Sequence, residues 1–226
     1  MSVEQTTPNQ TRNPKNNKNK NKNLGYTIAC TRYNTQTWKE YQEWKTSNQR
    51  EYEAEYKKPL KCIYGSPREI SSRKIAPNSK ILIIEMHNDE NKIMGIGMIE
   101  NKTASEVYRS KSKQNAPTLP KLPTSPTTST AIPPQGGGTP NGTPNGTPNI
   151  KYNIFSDRNY NRYIFIGNEF YISREDMERN IEYSELIEKI RKLDTLLFKG
   201  PRHSKRGSGF TKLAEWIIDA GYAIKI

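Results

Sequence analysis

The chain is poor in the residues from which metal sites and most hydrolases are built. Its 226 residues include only 2 histidines and 2 cysteines. His87 and His203 lie on different segments, so a multi-histidine metal site is excluded and a Ser-His-Asp arrangement has no support. Cys30 and Cys62, one distant pair, argue against a disulfide scaffold or a zinc cluster, and reduced thiols are expected. No metal, cofactor or catalytic constellation follows from this inventory. Apolar residues are also scarce, at 32% with a mean hydropathy of −0.96, so part of the chain is expected to be disordered. No apolar run nears the roughly 20 residues that span a bilayer. The opening MSVEQTTPNQTRNPKNN is no signal peptide. An intracellular location without a membrane partner is expected, in cytoplasm or nucleus, or in a virion if the source is viral.

Acidic residues are the scarcer charge, and the net charge is +13. By position it is +4 over residues 1–23, +2 over 24–100, +4 over 101–150 and +3 over 151–226. The two low-complexity arms thus hold most of the excess, while the remainder is nearly balanced. Basic arms attract polyanions through counterion release, without sequence selectivity.

What is present divides the chain into four stretches. Residues 1–23, with NPKNNKNKNKN, read as a disordered basic arm. Residues 24–102 carry the first ordered half. Tyr26, Ile28 and Cys30 alternate with smaller residues as a strand, and Asn34 or Thr35 caps a helix to about Tyr56. Trp38, Tyr41, Trp44, Tyr52 and Tyr56 share a broad face of that helix, read as a core stripe of which one or two rings can line a pocket for a base. Lys80–Asn101 reads as a hairpin. Ile81–Ile84 is apolar on both faces, as in a central strand, and Gly95 and Gly97 leave a bare face for a packed helix or a flat ligand.

Residues 103–149 form a Pro/Thr/Gly-rich linker with a TPNG repeat. Its prolines recur every three residues from Pro117 to Pro126. They share one face of a polyproline II helix, a spacer or a ligand for an SH3-like protein partner. Residues 150–226 are expected to supply the second half of the same domain, with two separate domains as the alternative. The sequence predicts a short strand Lys151–Phe155 and a hairpin of Tyr160–Ile166 with Glu169–Ile172 across Gly167–Asn168. A cap at Ser173 follows, then a helix with Leu186, Ile190, Leu193 and Leu197 on one side. A helix over Thr211–Ala220, with Leu213, Trp216 and Ile217 inward, and a strand Tyr222–Ile226 complete the reading. The fold class is α+β.

The strongest candidate for contact with a ligand is KGPRHSKRGSGFTK. Lys199, Arg202, His203, Lys205, Arg206 and Lys212 crowd into a glycine-punctuated loop expected to run into a helix N-terminus, where backbone amides face an anion. The Walker spacing is absent, so nucleotide hydrolysis is not implied.

The Tyr26–Arg32 strand, the aromatic helix, the GSPREISSRKIAPNSK lead-in, the ILIIEMHN and KIMGIGMIEN strands and the Gly95-Ile96-Gly97 step together resemble the PUA-like group, which includes the EVE, ASCH and YTH domains. The resemblance covers roughly Tyr26–Asn101 and Tyr160–Ile172; the linker and KGPRHSKRGSGF fall outside it. It implies a small mixed or curved β-barrel flanked by helices that recognises nucleic acid, often one base in a pocket. The expectation is a non-enzymatic protein that binds RNA or DNA, using the basic loop for phosphates and an aromatic pocket, with Tyr33 and Trp38, for a base. The alternatives are a virion or genome-packaging type of structural protein, and a metal-dependent nuclease built on Glu85 with Asp89 and Glu90.

Overall fold

A computed structural model describes residues 24–107, 152–199 and 203–224. The N-terminal arm, the Pro117–Pro126 stripe and Arg202 lie outside them.

The Lys80–Asn101 stretch forms the middle of the main sheet. Strands β3 (Lys80–His87) and β4 (Lys92–Glu100) pair as a hairpin. β1 (Thr27–Tyr33) lies parallel to β3, with Thr27 opposite Ile81 and Tyr33 opposite His87. A parallel neighbour demands a crossover, and α1 (Thr35–Tyr56) begins it. Asn34 caps that helix: its Oδ1 accepts from the Thr37 amide at 2.8 Å, and its own amide donates to Thr37 Oγ1 at 3.0 Å. Tyr41, Trp44 and Tyr52 are its buried residues, as the aromatic stripe requires, and Trp38 and Tyr56 are half-buried.

β2 (Cys62–Ser66) pairs with β5 (Tyr163–Gly167), β6 (Tyr171–Ser173) with β4, and β7 (Thr211–Lys212) with β1. Strands from the two sides of residues 108–151 are therefore hydrogen-bonded to one another. The result is a five-stranded sheet of order β6-β4-β3-β1-β7 and a two-stranded sheet β2-β5. The described strands do not close into the expected barrel; the architecture is a small mixed α+β fold.

Period-2 alternation sorts β1 and β3 between two cores. Ile28, Cys30, Leu82, Ile84 and Met86 pack against Ile187, Ile190, Leu193 and Leu197 of α3 (Ser184–Phe198). Ala29, Ile81 and Ile83 face the other way, onto Cys62, Tyr64 and Phe165 of the two-stranded sheet. Every residue of β3 from Ile81 to His87 is buried, which is why that strand reads apolar on both faces.

Several expectations fail for identifiable reasons. Gly167 does not turn a hairpin. A Cβ there would collide with the Met98 carbonyl and with Cys62 Sγ, so Gly167 is a packing glycine where the chain leaves β5 for the other sheet. The two expected hairpin arms thus belong to different sheets. Residues 152–155 form no strand. The Ser173 cap is present, its hydroxyl accepting from the Asp176 amide at 3.0 Å to start α2 (Arg174–Arg179). The expected final helix shrinks to β7, a helical turn Glu215–Ile217 and a wider turn to Tyr222, with Gly221 at φ 86° inside it. Leu213 and Ile217 are buried, but Trp216 is exposed, and residues 222–224 form no strand. Among the described residues no helix is long and apolar enough to cross a membrane.

Candidate nucleic-acid interface

The C-terminal end of β1 and the loop before β7 meet at one place. On β1 the residues facing the two-stranded sheet are Ala29, Thr31 and Tyr33, and the half-buried Arg32 points toward the 203–211 loop. Its guanidinium donates to the Ser204 carbonyl through Nε and to Thr211 Oγ1 at 3.0 Å. Burial pushes this guanidinium below its ordinary pKa, yet it stays cationic because its starting value is so high. From the β3–β4 turn, Asn88 Nδ2 donates to the Lys205 carbonyl at 3.1 Å, and the Ser204 amide donates to the Leu197 carbonyl at 2.7 Å. The loop is fastened largely through its backbone, while Phe210 packs edge-on against Tyr64 and Phe165 and Arg206 is exposed.

Two of its glycines are structural requirements. Gly209 has φ +70°, and a Cβ there would stand 2.7 Å from Ser66 Oγ; Gly207 has φ +118° beside Arg32. Between this loop, the end of β1 and β2 lies a cavity of about 140 Å³. Its polar wall includes Thr31, Arg32 and Asn88, and its aromatic wall Tyr33, Phe155 and Tyr160. A single water needs about 10–15 Å³, so the space is larger than one solvent molecule requires.

The sequence-predicted residues separate around it. Tyr33 lines the cavity but is 3% exposed, stacked on Tyr41 at 5.3 Å, and burial holds its phenol well above the ordinary range. Trp38 is not in the cavity wall; it buttresses Tyr33 edge-on at 5.2 Å and His87 at 6.1 Å. His203 is half-buried, with Nδ1 accepting from the Lys205 amide at 3.4 Å. Lys205 is half-buried and Arg206 exposed on the same loop. Lys199 is exposed at the end of α3, and Lys212 is exposed on β7, 3.3 Å from Glu215. The expected helix N-terminus is missing: the loop enters β7, and the helical turn beyond it has only 3 residues. Whatever anion affinity the loop has therefore comes from side chains and turn amides.

Sequence reasoning missed Thr31, Arg32, Asn88, Phe155 and Tyr160. Arg32 left a trace, as the only charged residue in an otherwise neutral strand. The others carry no local signal, because a turn asparagine and two loop aromatics become a wall only through tertiary packing.

Glu85 occupies a different place. It is fully buried, accepting from the hydroxyls of Tyr41 (3.2 Å) and Tyr64 (2.9 Å) on Oε1 and of Tyr171 (3.1 Å) on Oε2. Burial raises its pKa, against the lowering effect of those hydrogen bonds and of Lys45. This cluster fills the bare glycine face. A Cβ at Gly95 would stand 2.7 Å from Glu85 Oε2, and one at Gly97 would stand 2.7 Å from Cys62 Sγ and collide with the Tyr64 hydroxyl. The glycines admit neither a helix nor a ligand but a carboxyl and its tyrosines. A sealed carboxyl cannot meet a phosphodiester, and among the described residues no group of three or more His, Cys, Asp and Glu is placed to hold a metal ion.

A larger cavity, about 210 Å³, lies at the other end of α1, with Tyr52, Tyr56 and Tyr152 in its wall. Several of its polar groups are paired with one another: Asn168 Nδ2 donates to the Tyr52 hydroxyl at 3.0 Å, the Tyr152 hydroxyl to that of Tyr56 at 3.3 Å, and Lys80 pairs with Glu169 at 2.6 Å. No family model matches the sequence, and neither a curated protein nor a solved structure matches it.

Proposed function

We propose that the chain is a non-enzymatic, PUA-like binder of single-stranded nucleic acid. One unstacked base enters the cavity walled by Thr31, Tyr33, Asn88, Phe155 and Tyr160, and the loop cations Lys205 and Arg206 contact the backbone on either side. The observation that carries this reading is the shared lining: Tyr33 and the Gly207–Gly209 segment of the basic loop bound the same cavity. A polar cavity with an aromatic wall, beside a loop that carries Lys205 and Arg206, matches the two halves of a nucleotide. The glycines bring the backbone close to the ligand without a side chain in the way.

Titration with single-stranded and duplex oligonucleotides across a salt series tests it. Single strands should bind more tightly than duplex. Replacing both Lys205 and Arg206 by alanine should lower the salt slope by about 1.4, from about 0.7 per phosphate contact. No binding to single strands at low salt overturns the proposal.

A further inference from the structure

Arg32 is the only charged side chain among the residues that line the cavity beside the 203–211 loop, and no carboxylate shares that wall. Its guanidinium is half-buried and has no ion-pair partner among the described residues. The groups it does bond, the Ser204 carbonyl and Thr211 Oγ1, are neutral, and Nη2 makes no hydrogen bond among the described residues. A cation partly withdrawn from water is costly to leave without a counter-charge. The guanidinium also lies against the glycine segment. A Cβ at Gly207 would stand 3.8 Å from Arg32 Nη1 and 3.9 Å from its Cζ, and Gly207, Ser208 and Gly209 line the same cavity. Their backbone amides make no hydrogen bond among the described residues. Runs of such amides in turn conformations form anion-binding concavities.

From this arrangement, and resting on the binding mode proposed above, we infer that Arg32 and the amides of Gly207, Ser208 and Gly209 hold a phosphate group. It is the phosphate attached to the base in the cavity, so the site takes a whole nucleoside monophosphate rather than a base alone. The planar fork of a guanidinium suits phosphate oxygens, and turn amides add further donors. A phosphate supplies the negative charge that the wall lacks, which the edge of a neutral base does not. The base is left to the aromatic wall, where stacking tolerates any base. Lys205 and Arg206 then serve the phosphates of neighbouring nucleotides. A free mononucleotide carries both halves and should bind without the rest of a strand. An unphosphorylated nucleoside leaves Arg32 without its counter-charge, and inorganic phosphate leaves the aromatic wall empty.

The full chain is titrated with adenosine and uridine, each free and as its 5′- and 3′-monophosphate, and with inorganic phosphate, at a salt concentration that screens the basic arms. At least one monophosphate should bind about tenfold or more tightly than its nucleoside, as hydrogen bonds to a charged group provide, and more tightly than inorganic phosphate. Arg32→Gln, which removes the charge, should bring monophosphate and nucleoside together. Thr211→Val cuts one tie between Arg32 and the loop but keeps the guanidinium, and should retain the preference. Loss of the preference in Thr211→Val as complete as in Arg32→Gln would assign the effect to loop position and overturn the direct contact. The comparison in the parent chain stands whether or not a variant folds. A monophosphate no tighter than its nucleoside or than inorganic phosphate, or a preference that survives Arg32→Gln, overturns the phosphate site and leaves single-strand binding standing. Monophosphate binding by a chain that ignores single strands overturns the strand reading alone.

Discussion

Arg32 donates to Thr211 Oγ1 at 3.0 Å across 179 residues of sequence, tying the end of the first strand to the start of the last. Its Nε bond to the Ser204 carbonyl makes the tie two-pointed. Hydrogen bonds to a charged group contribute about 1.5–3 kcal/mol each when partly shielded from water. Arg32→Ala should loosen the 203–211 loop and weaken oligonucleotide binding about tenfold or more, with a smaller loss of global stability. Hydrogen exchange on the amides of 203–211, read beside affinity and melting temperature, checks this. Unchanged exchange there would show that Arg32 does not hold the loop. Lys in its place lacks the planar fork and should restore little.

Glu85 sets a second expectation. Removing the carboxyl strands three buried tyrosine hydroxyls, so Glu85→Ala should destabilise the protein by about 3–5 kcal/mol, the range for breaking a buried polar cluster. Glu85→Gln keeps an acceptor and should cost much less. Chemical denaturation of the two variants tests the difference.

The same carboxyl shapes the pH dependence. Its folded pKa is raised, chiefly by burial, with Tyr41, Tyr64, Tyr171, Lys45 and Cys62 around it. The unfolded chain then loses this proton at a lower pH than the folded one. The stability it confers is complete below the ordinary carboxylate pKa and is lost as pH rises toward the folded value. Stability measured from pH 4 upward should decline through this component, and Glu85→Gln should remove that decline. A variant with the parent's full pH slope would place the titration elsewhere.

Gly167→Ala tests the packing argument at the strand crossing. The new methyl meets a backbone carbonyl and a buried thiol, neither of which can swing aside, so a loss of about 1–3 kcal/mol or more is expected. Alanine tolerated at this position would mean that β4 and β5 can part.

How much of this was legible in the sequence depends on the range of the interaction. The Asn34 cap and the Ser173 cap are read within four residues and stand where the side chains demand. The apolar run Ile81–Ile84 of β3 announces a strand covered on both faces. Gly167 looked like a turn because glycine serves turns and close packing alike, and only Met98 and Cys62, distant in sequence, decide between them. The basic loop was legible as charge, but its route into β7 was not, since two residues of strand leave no period. Thr31 and Asn88 acquire meaning only from the company they keep in the cavity.

The most direct test of the binding account is the backbone amide spectrum of the full chain, followed as a single-stranded oligonucleotide is added. The account predicts saturable shifts centred on Thr31, Tyr33, Asn88 and Gly207–Gly209, persisting at salt concentrations that abolish contact with the basic arm. Shifts confined to residues 1–23 and 108–151, with the cavity amides unmoved, would contradict it.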